Sequence, residues 1–247
     1  MKYWGAKNRQ GRRIASAILA LVPPEAVKSY LEPFCGVAGV LVHVRELLSD
    51  DVPVAGSDCS RCIINFLQAV MGGWLPPEAL TEEMFNHLKA TKSNDTPMHA
   101  VVGFGCCFNG LYFADKFRPS MLQTYIDTRK QVARWAPRVR NISFQHKRYE
   151  DLPCPPDGCL VYCDCPYQGA VSTNMPQSWR DFDFAAFWDW VRSLSRTHIV
   201  LVSEYAAPDD FVSVWQHNVT LLNRSRKSGR TEHLFAHRSV VPRLRVS

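Results

Sequence analysis

The stretch Ser29-Tyr30-Leu31-Glu32-Pro33-Phe34-Cys35-Gly36-Val37-Ala38-Gly39 decides the fold of this 247-residue chain. Its first six residues read as a buried strand, and Cys35 to Gly39 as a glycine-bearing turn. Val40 to Leu48 then carries apolar residues at 40, 41, 44, 47 and 48, the spacing of one helix face. Val52 to Ser57 is a second short strand ending at Asp58, 19 residues after Gly39, and Arg61 to Val70 is a second helix. Strand, glycine turn, helix, strand and acid make half of a doubly wound α/β sheet. The pattern resumes at Cys159-Leu160-Val161-Tyr162-Cys163, an unbroken apolar strand that ends at Asp164. Phe184 to Leu194 predicts a helix and Ile199 to Val202 another core strand. Val219–Leu222 and His233–Ala236, around Lys227-Ser228-Gly229, predict a closing antiparallel hairpin.

Between the two α/β halves, 75–148 is richer in helix formers and basic residues and has no evident strand alternation. It predicts an inserted helical subdomain, so the expected division is 1–71 with 151–247 for the α/β domain and 72–150 for the insertion. The polar stretch 168–182 is too long for a simple strand-to-helix turn and predicts a mobile loop. The aromatic run Phe182, Phe184, Phe187, Trp188 and Trp190 reads as a helix face laid on the sheet.

Composition narrows the class. Apolar residues make up 46% and charged residues 21%, which excludes a disordered or fibrous chain. No apolar run approaches the roughly 18 residues of a membrane span, and the basic N-terminus lacks the apolar stretch of a secretory signal. Nine cysteines, an odd number, predict reduced thiols in a cytoplasmic setting. Cys59-x-x-Cys62 and the adjacent pair Cys106-Cys107 are poorly spaced for a zinc site, so no metal is expected. The net charge of +6 is unevenly spread: twenty-one of the 29 Lys and Arg lie in 2–13, 116–148 and 223–247. Such segregation suits a polyanion-binding face, because phosphate contacts gain affinity through counterion release.

Two constellations carry chemistry. In an open α/β sheet the ligand lies beyond the carboxyl ends of the strands. Gly36 and Gly39 would let the backbone approach it, and Asp58 could accept ribose hydroxyls. The glycines are spaced G-x-x-G rather than G-x-G-x-x-G, and no Walker motif is present. A nucleoside without phosphates, such as S-adenosylmethionine, therefore suits the turn better than NAD or ATP; a purely structural turn is the alternative. The second constellation is Asp164-Cys165-Pro166-Tyr167. An exocyclic amine is a poor nucleophile because its lone pair is delocalised into the ring. A carboxylate and a peptide carbonyl accepting its two N–H bonds would draw it towards a tetrahedral geometry, and they strengthen as positive charge develops. An ordinary strand-to-turn exit is the competing reading.

Taken in order, these segments resemble the Dam-type DNA adenine-N6 methyltransferases of the alpha arrangement, especially short phage-type members. Tyr3-Trp4-Gly5-Ala6-Lys7 resembles the family's W-x-G-G-K element, Glu32 to Gly39 its E-P-F-x-G-x-G cofactor loop, and Phe108-Asn109-Gly110-Leu111-Tyr112 its F-N-G-L-[YF] element. Asp164 to Tyr167 resembles D-P-P-Y, Val202-Ser203-Glu204-Tyr205 a strand-end motif, and Thr231 to Phe235 the terminal hairpin. The resemblance implies a Rossmann-like S-adenosylmethionine-dependent methyltransferase sheet with an inserted helical target-recognition subdomain. It implies S-adenosylmethionine as cofactor, held by Trp4, Lys7, Phe34, Gly36, Gly39, Asp58 and Asp164. Asp164 and the Cys165 carbonyl would clamp the amine, Pro166 would stiffen the turn and Tyr167 would stack on a flipped base. Double-stranded DNA would contact Asn109, Lys116, Arg118, Arg129, Lys130 and Arg134, with Gln123 and Gln145 as further candidate base readers. A monomer or weak dimer in the cytoplasm of a bacterium or phage-infected host is expected, in DNA protection, restriction-modification or regulation. Three departures stand out: Ala6 replaces a glycine, Cys165 the first proline, and Phe113 an arginine common in relatives. Cys165 keeps the carbonyl but predicts a less stiff turn. Methylation of cytosine N4 or of RNA adenine, and a non-catalytic DNA-binding module on the same fold, are the alternatives.

Overall fold

The computed structural model describes residues 6–7, 10–169, 177–223 and 226–245. In chain order they form α1 (Gly11–Leu21), β1 (Ser29–Glu32), α2 (Leu41–Leu47), β2 (Val54–Asp58), α3 (Arg61–Met71), α4 (Glu82–Ala90) and α5 (Pro97–Ala100). There follow α6 (Ser120–Trp135), β3 (Ser143–His146), β4 (Cys159–Cys163), α7 (Gln177–Arg180), α8 (Phe184–Leu194), β5 (Ile199–Glu204), β6 (Phe211–Asn223) and β7 (Arg226–His237). The strands make one seven-stranded sheet in the order β3-β2-β1-β4-β5-β7-β6. All neighbours are parallel except β7, which runs antiparallel to both β5 and β6. This is the expected Rossmann-like sheet with a hairpin closing one side.

The central strands are buried on both faces, which is why they read as unbroken apolar runs: every residue of β1 and β4 is buried. One apolar layer joins Ile14 and Ile18 of α1, Ile63 and Phe66 of α3, and Tyr30 and Tyr162 of the sheet. The other packs Phe187, Trp188 and Val191 of α8 on Val161, Val200 and Val202, with Phe182, Phe184 and Trp190 against it, as the aromatic run predicts. Thr81 caps α4 by accepting from the Met84 amide at 3.1 Å, and Asp183 caps α8 by accepting from Ala186 at 3.0 Å.

The structure changes the expected insertion in two ways. Ser143–His146, placed in the helical insertion by the sequence, is β3 and pairs in parallel with Ala55–Asp58. The boundary at 150 therefore overruns a sheet strand. Ile142 and Phe144 are buried while Ser143 and Gln145 are exposed, an alternation too short to stand out among the surrounding basic residues. Phe85, Leu88, Val101, Tyr125 and Val132 also join the same apolar layer as α1 and α3, so the inserted helices have no separate core. Helix α1, which the sequence reading passed over, is as clear as α3: Ile14, Ala15, Ile18 and Leu19 share one buried face. Within 168–182, Gln177–Arg180 is helical and 170–176 lies outside the described residues.

Candidate active site

Strands β1 and β4 are neighbours, and their chains leave in opposite directions, to β2 on one side and β5 on the other. The carboxyl edge there is the crevice in which such sheets hold ligands. Four acids gather along it: Glu32, Asp58 and Glu204 are the last residues of β1, β2 and β5, and Asp164 directly follows β4.

The turn after β1 is shaped by two left-handed residues, Gly36 at φ 48° and Ala38 at φ 57°. It is tied to β2 by the Cys35 amide on the Ser57 carbonyl at 2.9 Å. The Asp58 carboxylate accepts from the Gly36 amide at 3.0 Å and from the Ser60 amide at 2.8 Å. Asp58 thus fixes the glycine turn itself, a task additional to the ribose contact expected of it. Burial pushes its carboxyl above the usual aspartate range, against those two amides. Phe34, half-buried, sets its ring against Tyr149, Phe182 and Phe187 at 5.4, 5.9 and 5.7 Å between centroids.

Helix α1 brings Lys7 to the same edge. The Gln10 and Gly11 amides both donate to the Lys7 carbonyl. Gly11 lies so close to Gly39 that an added Cβ would stand 1.9 Å from the Gly39 carbonyl oxygen, so only glycine permits this docking. The Lys7 ammonium reaches Asp164 Oδ1 at 3.1 Å, Glu232 Oε1 at 3.0 Å and the Tyr167 hydroxyl at 2.8 Å. Tyr167 shares its one hydroxyl proton between Asp164 Oδ1, at 3.1 Å, and Glu232. Lys7 also stands over the Tyr167 ring at 4.5 Å. Burial works against the lysine charge, but Asp164 and Glu232 outweigh it and hold its pKa above the ordinary value. Burial pushes the Asp164 carboxyl up, Lys7 draws it down and Glu232 pushes it up again. Burial, then the charges of Asp164 and Glu232, place the Tyr167 hydroxyl well above its usual range, so it stays protonated.

The structure thus brings together Lys7, Asp164, Cys165, Pro166 and Tyr167, with Phe34, Gly36, Gly39 and Asp58 beside them. Trp4 lies outside the described residues. Four groups went unread in the sequence. Glu232 completes the charge cluster, and His217, buried on β6, lies 3.6 Å from its Oε2. Glu204 accepts from the Gln168 and Tyr205 amides. Tyr205 meets the Tyr167 ring edge-on at 4.8 Å. In the sequence Glu204 and Tyr205 stand out only as parts of a strand-end motif, and Glu232 only as part of the hairpin.

Of the expected DNA contacts, Asn109, Lys116, Lys130 and Arg134 are exposed. Asn109 holds a left-handed turn at φ 51°, next to Phe108, which is 64% exposed. Arg134 lines a cleft of about 240 Å³ with Val37, Gly39 and Trp135. Arg118 and Arg129 are partly committed within the fold, Arg118 to Asp115 at 2.9 Å and Arg129 to the Pro76 carbonyl at 3.0 Å. Of the candidate base readers, Gln123 donates to Asp127 at 3.1 Å and Gln145 is exposed on β3. Phe113 is buried against Phe85, His99 and Tyr112, so it serves the core. Among the described residues no group of three or more His, Cys, Asp or Glu could hold a metal ion, and no helix is long and apolar enough to cross a membrane.

No protein-family model matches the chain, and no curated protein matches it. Among solved structures it is similar to the rRNA methyltransferase AviRa of Streptomyces viridochromogenes, at 12% identity and TM-score 0.43, over 94% of this chain and 87% of that one. It is similar to TrmN of Thermus thermophilus, at 12% identity and TM-score 0.42, over 92% of this chain and 48% of that one. A precorrin-6y C5,15-methyltransferase of Geobacter metallireducens matches at 9% identity and TM-score 0.35, over 91% of this chain and 84% of that one.

Proposed function

We propose that the chain is an S-adenosylmethionine-dependent methyltransferase that acts on an exocyclic amine of a nucleic-acid base, adenine N6 in double-stranded DNA. One observation carries this reading: the Asp164-Cys165-Pro166-Tyr167 turn leaves β4 at the switch point, beside the glycine turn after β1, with Asp164 held by Lys7 and Tyr167. The order of sequence motifs and the basic segments support the nucleic-acid substrate.

The residues present fit the cofactor. Gly36, at positive φ, and Gly39 keep the turn backbone approachable, Phe34 offers an apolar face, and each Asp58 oxygen retains a lone pair beyond its amide bond. When bound, the cofactor supplies an electrophilic methyl on a sulfonium. Phe34, Gly36, Gly39 and Asp58 would hold it, and Lys7 serves the other side by orienting Asp164. A duplex adenine is paired and stacked, so it must be extruded before Asp164 can reach its amine. The Asp164 carboxylate accepts one N–H and the Cys165 carbonyl the other, which frees the nitrogen lone pair for in-line attack. The Asp164 carboxylate would stand next to the nitrogen on which positive charge grows and would stabilise it there. The amine then loses one proton towards Asp164. No covalent enzyme intermediate is needed, because positioning supplies most of the advantage.

The test is methyl transfer from labelled cofactor to unmethylated DNA and, separately, to RNA, followed by nucleoside analysis. N6-methyladenine from the duplex is the expected product. N4-methylcytosine or product from RNA alone reassigns the substrate, and no product from folded protein overturns the enzyme reading. Asp164→Ala is expected to abolish transfer with DNA binding largely kept; near-normal turnover would overturn its role.

A further inference from the structure

Strand β7 pairs with β5 only over Phe235↔Val202 and its neighbours, from Ala236 to His233, the last facing Glu204 where β5 ends. Its pairing with β6 continues from Thr231↔Asn218 out to Arg226↔Asn223. Because β7 is antiparallel, those further residues run past the carboxyl edge, where the site lies. The six positions 226–231 carry the hairpin roughly 20 Å beyond the sheet. The sequence places Arg226, Lys227 and Arg230 on this arm.

Arg230 is the informative one. It stands two residues before Glu232, so the two share a face of the strand. Glu232 enters the charge cluster, while Arg230 stays exposed at its rim. The Arg230 guanidinium lies over the Tyr205 ring at 5.1 Å, and Tyr205 in turn meets Tyr167. Among the described residues no carboxylate forms an ion pair with it. A planar cation resting on an aromatic face, exposed and next to the turn expected to receive a base, has the form of a phosphate grip.

We propose that the β6–β7 hairpin is a DNA-clamping arm whose Arg230 holds a backbone phosphate beside the extruded nucleotide. The proposal rests on the DNA methyltransferase reading and adds a contact which that reading does not contain. Its test is binding of a fluorescent DNA duplex, and separately of a fluorescent RNA of the same sequence, by the full chain across a salt series, for the wild type, Arg230→Ala, Arg230→Lys and Arg196→Ala. Arg196 is exposed between α8 and β5, at the opposite edge of the sheet, and controls for loss of charge alone. Arg230→Ala is expected to make the slope of log K against log salt shallower by about 0.9. The same variant should weaken binding about tenfold. Arg230→Lys should keep the slope and lose part of the affinity, and Arg196→Ala should change neither. If the wild type binds and Arg230→Ala matches it, or Arg196→Ala loses as much, the clamp is overturned and the enzyme reading stands. A wild type that binds RNA but not the duplex, or binds neither, overturns the substrate reading together with the clamp.

Discussion

Asp164 can meet the growing positive charge and take up the amine proton only as a carboxylate, yet it sits where burial favours its protonated form. Lys7, at 3.1 Å, opposes that tendency, and Glu232, which also pairs with Lys7, adds to it. The two neighbours therefore make predictions of opposite sign. Lys7→Met removes the favourable charge, so the acid limb of the kcat/KM profile moves to higher pH. Glu232→Gln removes the unfavourable one, so the limb moves to lower pH. Profiles for the wild type and both variants check this. A uniform fall in rate with the limb unmoved in both would show that the pair only supports the fold. Cys165 is buried, and only its carbonyl is asked to act.

Strand ends, rather than strand middles, hold the chemistry, and β5 shows the cost. Glu204 closes that strand in a buried position, where burial lifts its pKa from 4.5 to about 7 against the amides of Gln168 and Tyr205. The folded state therefore binds this proton more tightly than the unfolded chain. The resulting stability is complete below about pH 4.5 and is lost as pH rises through about 7. Glu204→Gln cannot titrate, so it should gain on the wild type as pH is raised across that window, by up to roughly 3 kcal/mol. Any constant offset from the altered acceptor leaves this slope difference intact. Denaturant unfolding of both proteins at several pH values measures it, and parallel stability curves would refute the assignment. Buried histidines such as His198 and His217, whose pKa values burial lowers, shift both curves equally and cancel in the difference.

At the scale of the molecule, local patterns were legible and long-range pairings were not. The strand, turn and helix from Ser29 to Leu48 and the Asp164 to Tyr167 turn could be read because a few adjacent residues set their backbone. Glu232 could not, because only the antiparallel register of β7 on β5 brings it beside Lys7 and Asp164, far away in sequence. The basic blocks read as one face only in part: Arg138 is spent on Glu46, Arg148 on Glu150 and Arg243 on the Ser195 and His198 carbonyls. The cysteines follow the same division between local pattern and fold. None of the nine forms a disulfide, and their accessibility depends on packing. Cys59 and Cys154 are exposed and the other seven are buried, with burial pushing up the thiols of Cys35, Cys163 and Cys165 at the site. Since the thiolate is the reactive form, burial disfavours reaction at the site thiols both by raising their pKa and by shielding them, and exposure favours Cys59 and Cys154. A thiol-exchange reagent should therefore titrate two groups quickly in the native protein and nine in denaturant. Rapid reaction of a third native thiol would mean that the carboxyl edge opens more readily than its packing implies, and Cys35 or Cys165 would be the first to look for by peptide mapping.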